Sequence, residues 1–469
     1  KSRDDINNQH PLALSYGNTP SNTTRTKTYK EHCTPFHFEN FNEIIAVDSQ
    51  RNIAIVEPRI TMRDLLAATL PYGLAPPVLP EFKGITVGGA IMGGAAESGS
   101  HRYGCFNDIC QAYEIVTGRG EFLRISPTEN EDLFYGMASS YGSLATIVSA
   151  EIELIPITSE IHLTIHPCPS SEIIQRLRSF YHKSDAPLFL EGLIFSENVA
   201  AIIEANPCKA SDRISLPLFS LNSPSAPWFY QHVKEIASHK YGNIFEEKMS
   251  VRDYFFRYDL GAFWMGALLF QSPFFSRFTM EGVLGFNPQN SQHFSAKELK
   301  RLTPLKDPSF IQRTLFRPIL DATKLWRLLH RAEGWCRDRL FIQDFCIPES
   351  SALEFYQAII QNPSIYPIWL CPIKGTHTKQ IFSPHLLKDN CSDSHLINFG
   401  LYGIPPLSPS IPEITKHLEM EVAKRASDLS KMSELQYGKI PELEKRLQEV
   451  ANQESVETFC RISGCIGQV

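Results

Sequence analysis

The chain of 469 residues lacks several features that mark particular classes of protein, and each absence argues against one class. It has no apolar run approaching the ~18 to 20 residues needed to span a bilayer. Its first residues, KSRDDINNQH, are polar and unlike a secretory signal. Acidic and basic residues are interleaved around a net charge of −6, without the basic stripe typical of nucleic-acid-binding proteins. No nucleic-acid partner is therefore expected.

Cysteine is present but without a recognisable pattern. The 11 cysteines are scattered from Cys33 to Cys465, and their odd number does not fit a disulfide framework. The pairs Cys105/Cys110 and Cys460/Cys465 have C-x4-C spacing, but neither lies in a C-x2-C or H-E-x-x-H context. No metal site is expected. Reduced thiols favour a cytoplasmic protein, or one at the periphery of a membrane.

Catalytic and phosphate-binding motifs of several large families are missing. There is no G-x-S-x-G elbow, which argues against a Ser-His-Asp hydrolase. Neither G-x-G-x-x-G before a helix nor G-x-x-x-x-G-K-[ST] occurs. The length favours two domains.

The chain does contain a glycine-rich stretch from Gly84 to Gly104, GITVGGAIMGGAAESGSHRYG. Glycine lacks a Cβ, so the pairs Gly88/Gly89 and Gly93/Gly94 can turn through positive φ and let main-chain N–H groups approach a ligand. One interpretation is a loop that binds the diphosphate of a dinucleotide. The alternative is a buried crossing where glycines only permit close packing. The spacing by itself does not decide between them.

The flanking segments predict an α+β domain. Residues 53–56 read as a strand and 61–70 as a helix. Residues 112–125 read as a β-hairpin, and 145–154 as a further strand. This order of elements resembles the flavin-binding domain of the vanillyl-alcohol oxidase (p-cresol methylhydroxylase, PCMH) superfamily.

The similarity is more specific than the superfamily. TVGGAIMGGAAES and the following SHRYG resemble the flavin loop of the Δ24-sterol reductases (24-dehydrocholesterol reductases). YPIWLCP and LINFGLYGIP resemble later segments of the same family, and the similarity covers residues 15–405. It implies an α+β fold in two main parts: a PCMH-type FAD-binding domain at 1–156 and an α+β substrate (cap) domain with an antiparallel sheet at 157–405. Within the cap domain lies an aromatic-rich insertion at 225–305, and a helical C-terminal segment follows at 406–469.

The resemblance also implies the cofactors. Many oxidases of the superfamily attach flavin covalently through a His in the loop that corresponds to residues 15–25, and this loop contains none. FAD is therefore expected to bind non-covalently, with NADPH as the electron donor. The residues expected to bind FAD are Thr86, Val87, Gly88, Gly89, Ala90, Ile91, Met92, Gly93, Gly94, Ala95, Ala96, Glu97, Ser98 and His101, with Gly17, Asn18, Thr19 and Ser21.

A reductase of this family passes hydride from NADPH to flavin N5 and then to a carbon-carbon double bond, here of a sterol or isoprenoid-like lipid. An isolated alkene is a weak electrophile, so the protein must also deliver a proton. The candidate donors are His101, Tyr366, Cys371 and Tyr402, and a structural role is the alternative for each. Gln343 and Asp344 are candidates to bind flavin or to position the acid, and Arg257 is either functional or an ordinary ion-pair partner.

Other readings stay open. The chain could be an FAD-linked oxidase or dehydrogenase of a sugar or alcohol, or a non-catalytic flavin- or lipid-binding protein. The aromatic-rich insertion either covers the cap domain or lines a lipid pocket that docks on a membrane. The first residue is Lys, and the sterol reductases carry a membrane anchor at that end, so an anchor upstream is possible. The resemblance fails after Pro406, and the sequence does not predict an oligomeric state.

Overall fold

The computed structural model describes residues 12–15, 34–37, 40–209, 215–223, 225–239, 243–270, 307–331, 340–361, 365–376, 383–387, 392–405 and 411–425. The strands are β1 Leu12–Ser15, β2 Thr34–His37, β3 Ile44–Asp48, β4 Ile53–Val56, β5 Leu74–Ala75, β6 Cys110–Thr117, β7 Phe122–Ile125, β8 Ala145–Glu153, β9 Ile155–Pro156, β10 Glu160–Cys168, β11 Phe189–Ile194, β12 Ala200–Pro207, β13 Phe245–Ser250, β14 Phe341–Pro348, β15 Ile368–Lys374 and β16 His395–Gly403. The helices are α1 Met62–Thr69, α2 Val87–Gly93, α3 Ser100–Tyr103, α4 Glu131–Met137, α5 Ile173–Tyr181, α6 Phe229–His239, α7 Val251–Phe255, α8 Phe310–Phe316, α9 Ala322–Arg331, α10 Ala352–Gln361 and α11 Ile411–Arg425.

The first part of the chain is built on a five-stranded antiparallel sheet in the order β3-β4-β8-β6-β7. Strands β6 and β7 form the predicted hairpin, and the left-handed φ of 80° at Gly120 closes its turn. Helix α1 begins where predicted, because the Thr61 hydroxyl oxygen accepts a hydrogen bond from the N–H of Asp64. The predicted strands of this domain are confirmed.

The second part is built on a seven-stranded antiparallel sheet in the order β13-β10-β12-β11-β15-β16-β14. The segments FLEGLIFS and AAIIEA contain the neighbouring strands β11 and β12, and strands β14, β15 and β16 join the same sheet. The expected fold class, an α+β protein with an antiparallel sheet in the cap domain, is confirmed.

Side chains alternate between the two faces of this second sheet. On β11, Leu190 and Ile194 pack with helices α5, α10 and α11, whereas Phe189 and Leu193 join the core shared with the first sheet. One face of the sheet is therefore covered by helices, and the other, called the domain-facing side below, packs against the FAD-binding part of the chain. The polar side chains of that side lie between the two sheets.

Helix α5 begins after Glu172, its N-cap residue, and the hydroxyl of Ser170 just before it donates to the carbonyl of Ser196. The boundary predicted at residue 156 falls between the two large sheets, while α11, predicted as part of a separate C-terminal segment, packs in the core of the cap domain through the buried side chains of Ile414 and Leu418. The division into domains stays a prediction.

No helix among the described residues is both long enough and apolar enough to cross a bilayer.

Candidate functional site

The glycine-rich stretch folds into helix α2 rather than into a loop. The Thr86 hydroxyl oxygen accepts a hydrogen bond from the N–H of Gly89 at 3.2 Å. The N–H groups of Val87 and Gly88 donate to carbonyls of the segment before α1, at 2.9 and 2.8 Å. The protein itself therefore uses the main-chain donors at the first glycine pair, which favours the packing interpretation there, and the assignment of FAD-binding residues stays a prediction.

What α2 offers a ligand is an open glycine surface. Gly89 and Gly93 lie one helical turn apart and are both exposed. A Cβ placed on Gly93 would meet no atom within 4 Å. Within residues 86–98 positive φ occurs only at Gly94, which ends the helix with a φ of 61°. A flat ligand such as a flavin nucleotide can approach the backbone closely along this face.

The turn after α4 packs against the C-terminal end of α2. The N–H of Ser139 donates to Ile91 at 3.2 Å, and the N–H of Tyr141 donates to Met92 at 3.3 Å. Ser139 and Tyr141 have φ values of 56° and 52°, which residues other than glycine rarely adopt. The buried Ser139 hydroxyl makes no hydrogen bond with the part of the chain that the structure describes. A strained turn with an unused hydroxyl beside an open glycine face fits a ligand site.

The end of the glycine-rich stretch points into the core. The fully buried Arg257 donates to Glu97 at 2.6 Å and to Glu191 at 2.8 Å. Burial acts to lower the pKa of Arg257, but the attraction of the two carboxylates outweighs burial and raises the pKa well above its usual value. The Ser98 hydroxyl lies 2.9 Å from that of Tyr254. This Arg257 hub joins the two domains, and its contacts weigh against Glu97 and Ser98 as flavin ligands.

Two predicted proton donors lie in the same interface. The Nδ1 of His101 is 3.0 Å from the carbonyl oxygen of Ser98, and its Nε2 is 2.9 Å from that of Pro187. Burial lowers the pKa of His101 to about 4. The buried Cys371 thiol donates to the carbonyl of Glu97 at 3.2 Å, and burial raises its pKa well above the usual value. Catalytic roles for both stay predictions, and these contacts favour a structural role.

A different polar group lies on the domain-facing side of the cap sheet. The Tyr402 hydroxyl donates to Asp344 Oδ1 at 2.7 Å, and Asn398 Nδ2 donates to the same oxygen at 2.8 Å. The side chain of Asp344 is exposed, yet burial among surrounding protein raises its pKa. Because Asp344 is accessible to solvent on the domain-facing side of the sheet, a ligand could reach it there, and the space beside it is called the cleft below. Tyr402 and Asp344 are therefore candidates to meet a ligand.

Glu81 belongs to this group, although the sequence did not single it out. Burial, and then the charge of Glu97, raise its pKa to about 8, and Asp344 acts in the same direction. Its side chain is only partly exposed, and among the described residues it forms no ion pair. A carboxyl whose pKa is raised this far is a candidate O–H donor near neutral pH. The only signal in the sequence is its position between the three prolines of LAPPVLPEF and the glycine-rich stretch.

Two other candidates lie on the opposite face of the sheet. Gln343 precedes Asp344 on β14, and successive strand residues point to opposite faces, so Gln343 lies on the side of the buried Phe341 and Phe345. Tyr366 packs against the helix-covered cluster that contains those phenylalanines. The structure therefore separates Gln343 and Tyr366 from the cleft.

Most aromatic side chains in the described part of the aromatic-rich insertion are buried, which fits the first of its two interpretations. Phe263 is stacked on Tyr258 at 4.1 Å and contacts Trp369 and Tyr402 at 5.4 and 5.3 Å between ring centroids. Gly261, Ala262 and Phe263 all have positive φ, so a strained turn carries this ring into the core. These aromatic rings pack against one another and against the ring of Tyr402. Residues 271–305 of the insertion lie outside the described residues, as do Gly17, Asn18, Thr19 and Ser21.

Comparison with known proteins defines the class to which this fold and site belong. Residues 6–126 match the sequence family described as FAD binding domain. The matched range ends just after strand β7, so it includes helix α2 with its open glycine face, while strand β8 of the same sheet follows it. The chain therefore carries an FAD-binding domain.

The relatives are more specific. The chain is 32% identical over 376 residues to the Delta(24)-sterol reductase of Homo sapiens, covering 78% of this chain and 63% of that protein. It is 32% identical over 371 residues to the enzyme of that name from Rattus norvegicus, with the same coverage. The identity to the Arabidopsis thaliana protein is 29% over 354 residues, covering 72% of this chain and 57% of the relative. The chain thus spans less than two thirds of these proteins, and the predicted resemblance to the Δ24-sterol reductases is confirmed.

Proposed function

We propose that the protein is an FAD-dependent oxidoreductase that reduces a carbon-carbon double bond of a sterol or isoprenoid-like lipid. The similarity to Δ24-sterol reductases supports the reaction class and the kind of substrate. The exposed glycine face of α2 and the unused Ser139 hydroxyl are the groups that would hold FAD. When bound, the flavin supplies hydride chemistry that amino-acid side chains lack. NADPH is the proposed electron donor.

The proposal is carried by the open glycine face of α2 in a chain that is similar to the Delta(24)-sterol reductases. The raised pKa of the Glu81 carboxyl favours the direction of reduction. Reduction of an isolated alkene needs a proton at one carbon as hydride reaches the other. Glu81, with a pKa raised to about 8 by burial and by Glu97, holds such a proton at neutral pH. The hydrogen-bonded Tyr402 and Asp344 would position it or replace the proton after each turnover.

The same observation weighs against the oxidase alternative. Oxidation of an alcohol needs a base that accepts the hydroxyl proton. A carboxyl that is already protonated cannot accept it, and both ring nitrogens of His101 contact backbone carbonyls. The reductase direction is therefore the better fit to these residues. A substrate held at a bilayer would make the protein a peripheral membrane protein.

The FAD assignment is tested by the Gly93→Val variant. A Cβ at this position would meet no atom within 4 Å, and the valine side chain would occupy the open face of α2. We expect the affinity for FAD to fall about 10-fold or more, measured by the quenching of FAD fluorescence on binding. Gly118→Val is the matched control, because Gly118 lies in the exposed hairpin turn with equally free space. Unchanged FAD affinity in Gly93→Val would contradict the assignment.

The reaction is tested by anaerobic reduction of the flavin-loaded protein. NADPH should bleach the flavin band, and a side-chain-unsaturated sterol should restore it. We expect Glu81→Gln to leave the first step unchanged and to slow the second about 100-fold or more, because Gln cannot donate the proton efficiently. Glu354→Gln, an exposed glutamate on α10, is the control. Reduction by an alcohol but not by NADPH would establish the oxidase alternative, and no response to either donor would indicate a non-catalytic flavin-binding protein.

A further inference from the structure

Gly400 lies in the middle of β16, between the cleft and the Arg257 hub. It pairs with Asp344 on β14 and with Trp369 on β15, so these three residues form one row across the sheet. At one end of the row Asp344 borders the cleft, and at the other Trp369 Nε1 donates to Glu191 of the hub at 2.8 Å. A glycine inside a strand often marks a place where another group approaches the backbone closely.

The group that approaches Gly400 is the phenol of Tyr402. The two residues are two positions apart on β16, so they share the domain-facing side of the sheet. A Cβ placed on Gly400 would lie 2.6 Å from the Tyr402 hydroxyl oxygen and 2.7 Å from Cζ. Non-bonded atoms do not come this close. Any side chain at position 400 therefore excludes the Tyr402 hydroxyl from its present place.

The hydroxyl needs that place to reach Asp344. Because Asp344 lies directly opposite Gly400, the Tyr402 side chain reaches it diagonally by lying over the glycine. The hydroxyl donates to Asp344 Oδ1 at 2.7 Å, and Asn398 Nδ2 donates to the same oxygen at 2.8 Å. Among the described residues, no donor binds Asp344 Oδ2. The carboxyl is thus held through one oxygen, and the other remains for a partner in the cleft.

The ring of Tyr402 is itself held in place. The rings of Phe263 and Trp264 lie 5.3 and 5.8 Å from it between centroids. Trp264 Nε1 also donates to the Tyr402 carbonyl at 2.7 Å. A methyl group added at position 400 would therefore displace the hydroxyl end of the side chain from Asp344, because the backbone and the ring are fixed from behind.

We propose that Gly400 is a positioning residue: its missing side chain keeps the Tyr402 hydroxyl on Asp344. The pair so formed returns a proton to Glu81 after each turnover, and this catalytic role rests on the proposed function. Glu81 becomes a carboxylate when its proton goes to the alkene carbon, and it must take up one proton from solvent before the next cycle. Asp344 is exposed and can pass that proton on.

Electrostatic interactions place the three groups near one another. After burial and the charge of Glu97, the charge of Asp344 raises the pKa of Glu81. After burial and Asp344, the charge of Glu81 raises the pKa of Tyr402. Glu81 and the Tyr402–Asp344 pair therefore lie within range of each other's charge, as a proton relay requires.

The position of the hydroxyl can be tested without enzymatic activity. Burial raises the pKa of Asp344, and the hydrogen bond from Tyr402 opposes that rise. In Gly400→Ala the carboxyl should therefore keep its proton to a higher pH, as it should in Tyr402→Phe. The measurement is the infrared absorption of protonated carboxyl groups, with the Asp344 band assigned by its loss in Asp344→Asn.

Gly403→Ala is the matched control. Gly403 lies on the same strand but on the opposite face, where a Cβ would lie 2.8 Å from a methyl group of Ile365. The two variants thus add the same group against a close neighbour. Gly403→Ala should leave the Asp344 titration unchanged.

The catalytic role is tested by reoxidation of the reduced, flavin-loaded protein with a side-chain-unsaturated sterol. In a single turnover Gly400→Ala should match the unmodified chain, because Glu81 already holds its proton. Under repeated turnover Gly400→Ala and Tyr402→Phe should each be about 10-fold slower. The double variant should be no slower than Tyr402→Phe, since Gly400 acts only through the hydroxyl, and Gly403→Ala should keep the unmodified rate.

An Asp344 titration that moves in Tyr402→Phe but not in Gly400→Ala would overturn the positioning role. Additive slowing in the double variant would overturn it as well. If the unmodified chain reduces no alkene, the proposed function fails, and the infrared titration still decides whether Gly400 positions the hydroxyl. If Gly400→Ala does not fold, adding Tyr402→Leu should restore folding, because leucine lacks the atoms that the methyl group meets; a double variant that also fails to fold would contradict the proposal.

Discussion

Two groups of carboxylates lie between the two domains, and they are treated differently by the protein. In the Arg257 hub, Glu97 and Glu191 share a buried guanidinium at 2.6 and 2.8 Å. In the cleft, Glu81 and Asp344 have only neutral hydrogen-bond partners or none among the described residues. The first group pairs its charges, whereas the second lies where burial favours the protonated form.

The difference separates a structural group from a chemical one. A buried ion pair holds elements in register but has no proton to give, because its charges are stabilised by each other. A carboxyl without a cation is expensive to ionise, and its pKa rises into the range useful for acid catalysis. Glu81 has this property, and the sequence-derived candidates His101 and Cys371 instead belong to the structural side. The following predictions test that division.

The largest effect is expected from Arg257→Met. The change leaves the carboxylates of Glu97 and Glu191 buried without a cation, which costs about 3 to 5 kcal/mol. Urea unfolding should show this loss, or the variant should fail to fold. Arg252→Met, which replaces an exposed arginine on helix α7 five residues before Arg257, should change the free energy of unfolding by less than about 0.5 kcal/mol. Equal stability of the two variants would show that the buried ion pairs of Arg257 do not stabilise the fold.

A smaller effect is expected from acidification through His101. Its pKa is about 4 in the folded protein, below the ordinary value of 6.5, because burial disfavours the cation. The unfolded chain therefore binds more protons between these values, and stability is lost as the pH falls from 6.5 to 4, by about 3 kcal/mol. His101→Gln should show a weaker loss of stability over this range, measured by urea unfolding.

The matched control for that titration is His239→Gln, which replaces an exposed imidazole in the last turn of α6. It should follow the pH dependence of the unmodified chain. If His101→Gln also follows it, the buried imidazole does not control the acid response of the interface.

The smallest effect is expected from Glu81 at alkaline pH. Its pKa is raised from 4.5 to about 8 in the folded protein, so the folded state holds the extra proton. The stability that this proton confers is fully present below pH 4.5 and is lost as the pH rises through about 8. Because the side chain is partly exposed, we expect Glu81→Gln to exceed the unmodified chain by only about 2 kcal/mol at pH 9.

The two proteins should have similar stability at pH 4.5, where both side chains are neutral. The control is again Glu354→Gln, whose stability relative to the unmodified chain should not vary with pH. A Glu81→Gln variant that gains nothing at pH 9 would show that Glu81 is ionised there without cost, and the contrast between the two groups would disappear.

Much of the fold was predictable because it depends on local patterns. The hairpin with its turn at 117–120 and the strand β8 were recognisable from turn residues and from apolar runs. The resemblance to the Δ24-sterol reductases supplied the two-part architecture. The sequence left two interpretations of the glycine-rich stretch open, because a pattern of small residues does not tell whether the N–H groups are taken by a neighbouring segment.

The catalytic candidates show the same limit. His101, Cys371 and Tyr402 were chosen because their side chains carry protons, but only the structure shows which of them border a cleft. Gln343 and Asp344 are adjacent in sequence and lie on opposite faces of the sheet. Glu81 was missed because an ordinary glutamate has no distinguishing mark in a sequence; its pKa depends on what surrounds it.

By itself the sequence determined the secondary structure of the strands, the family resemblance and the expectation of FAD, since these follow from local periodicity and from motifs. Only the tertiary structure decided which charges are paired, which carboxyl keeps its proton and which distant residues meet, as Cys105 and His385 do. The physical reason is that burial and electrostatic interaction depend on distances through space, and residues far apart in the chain set those distances.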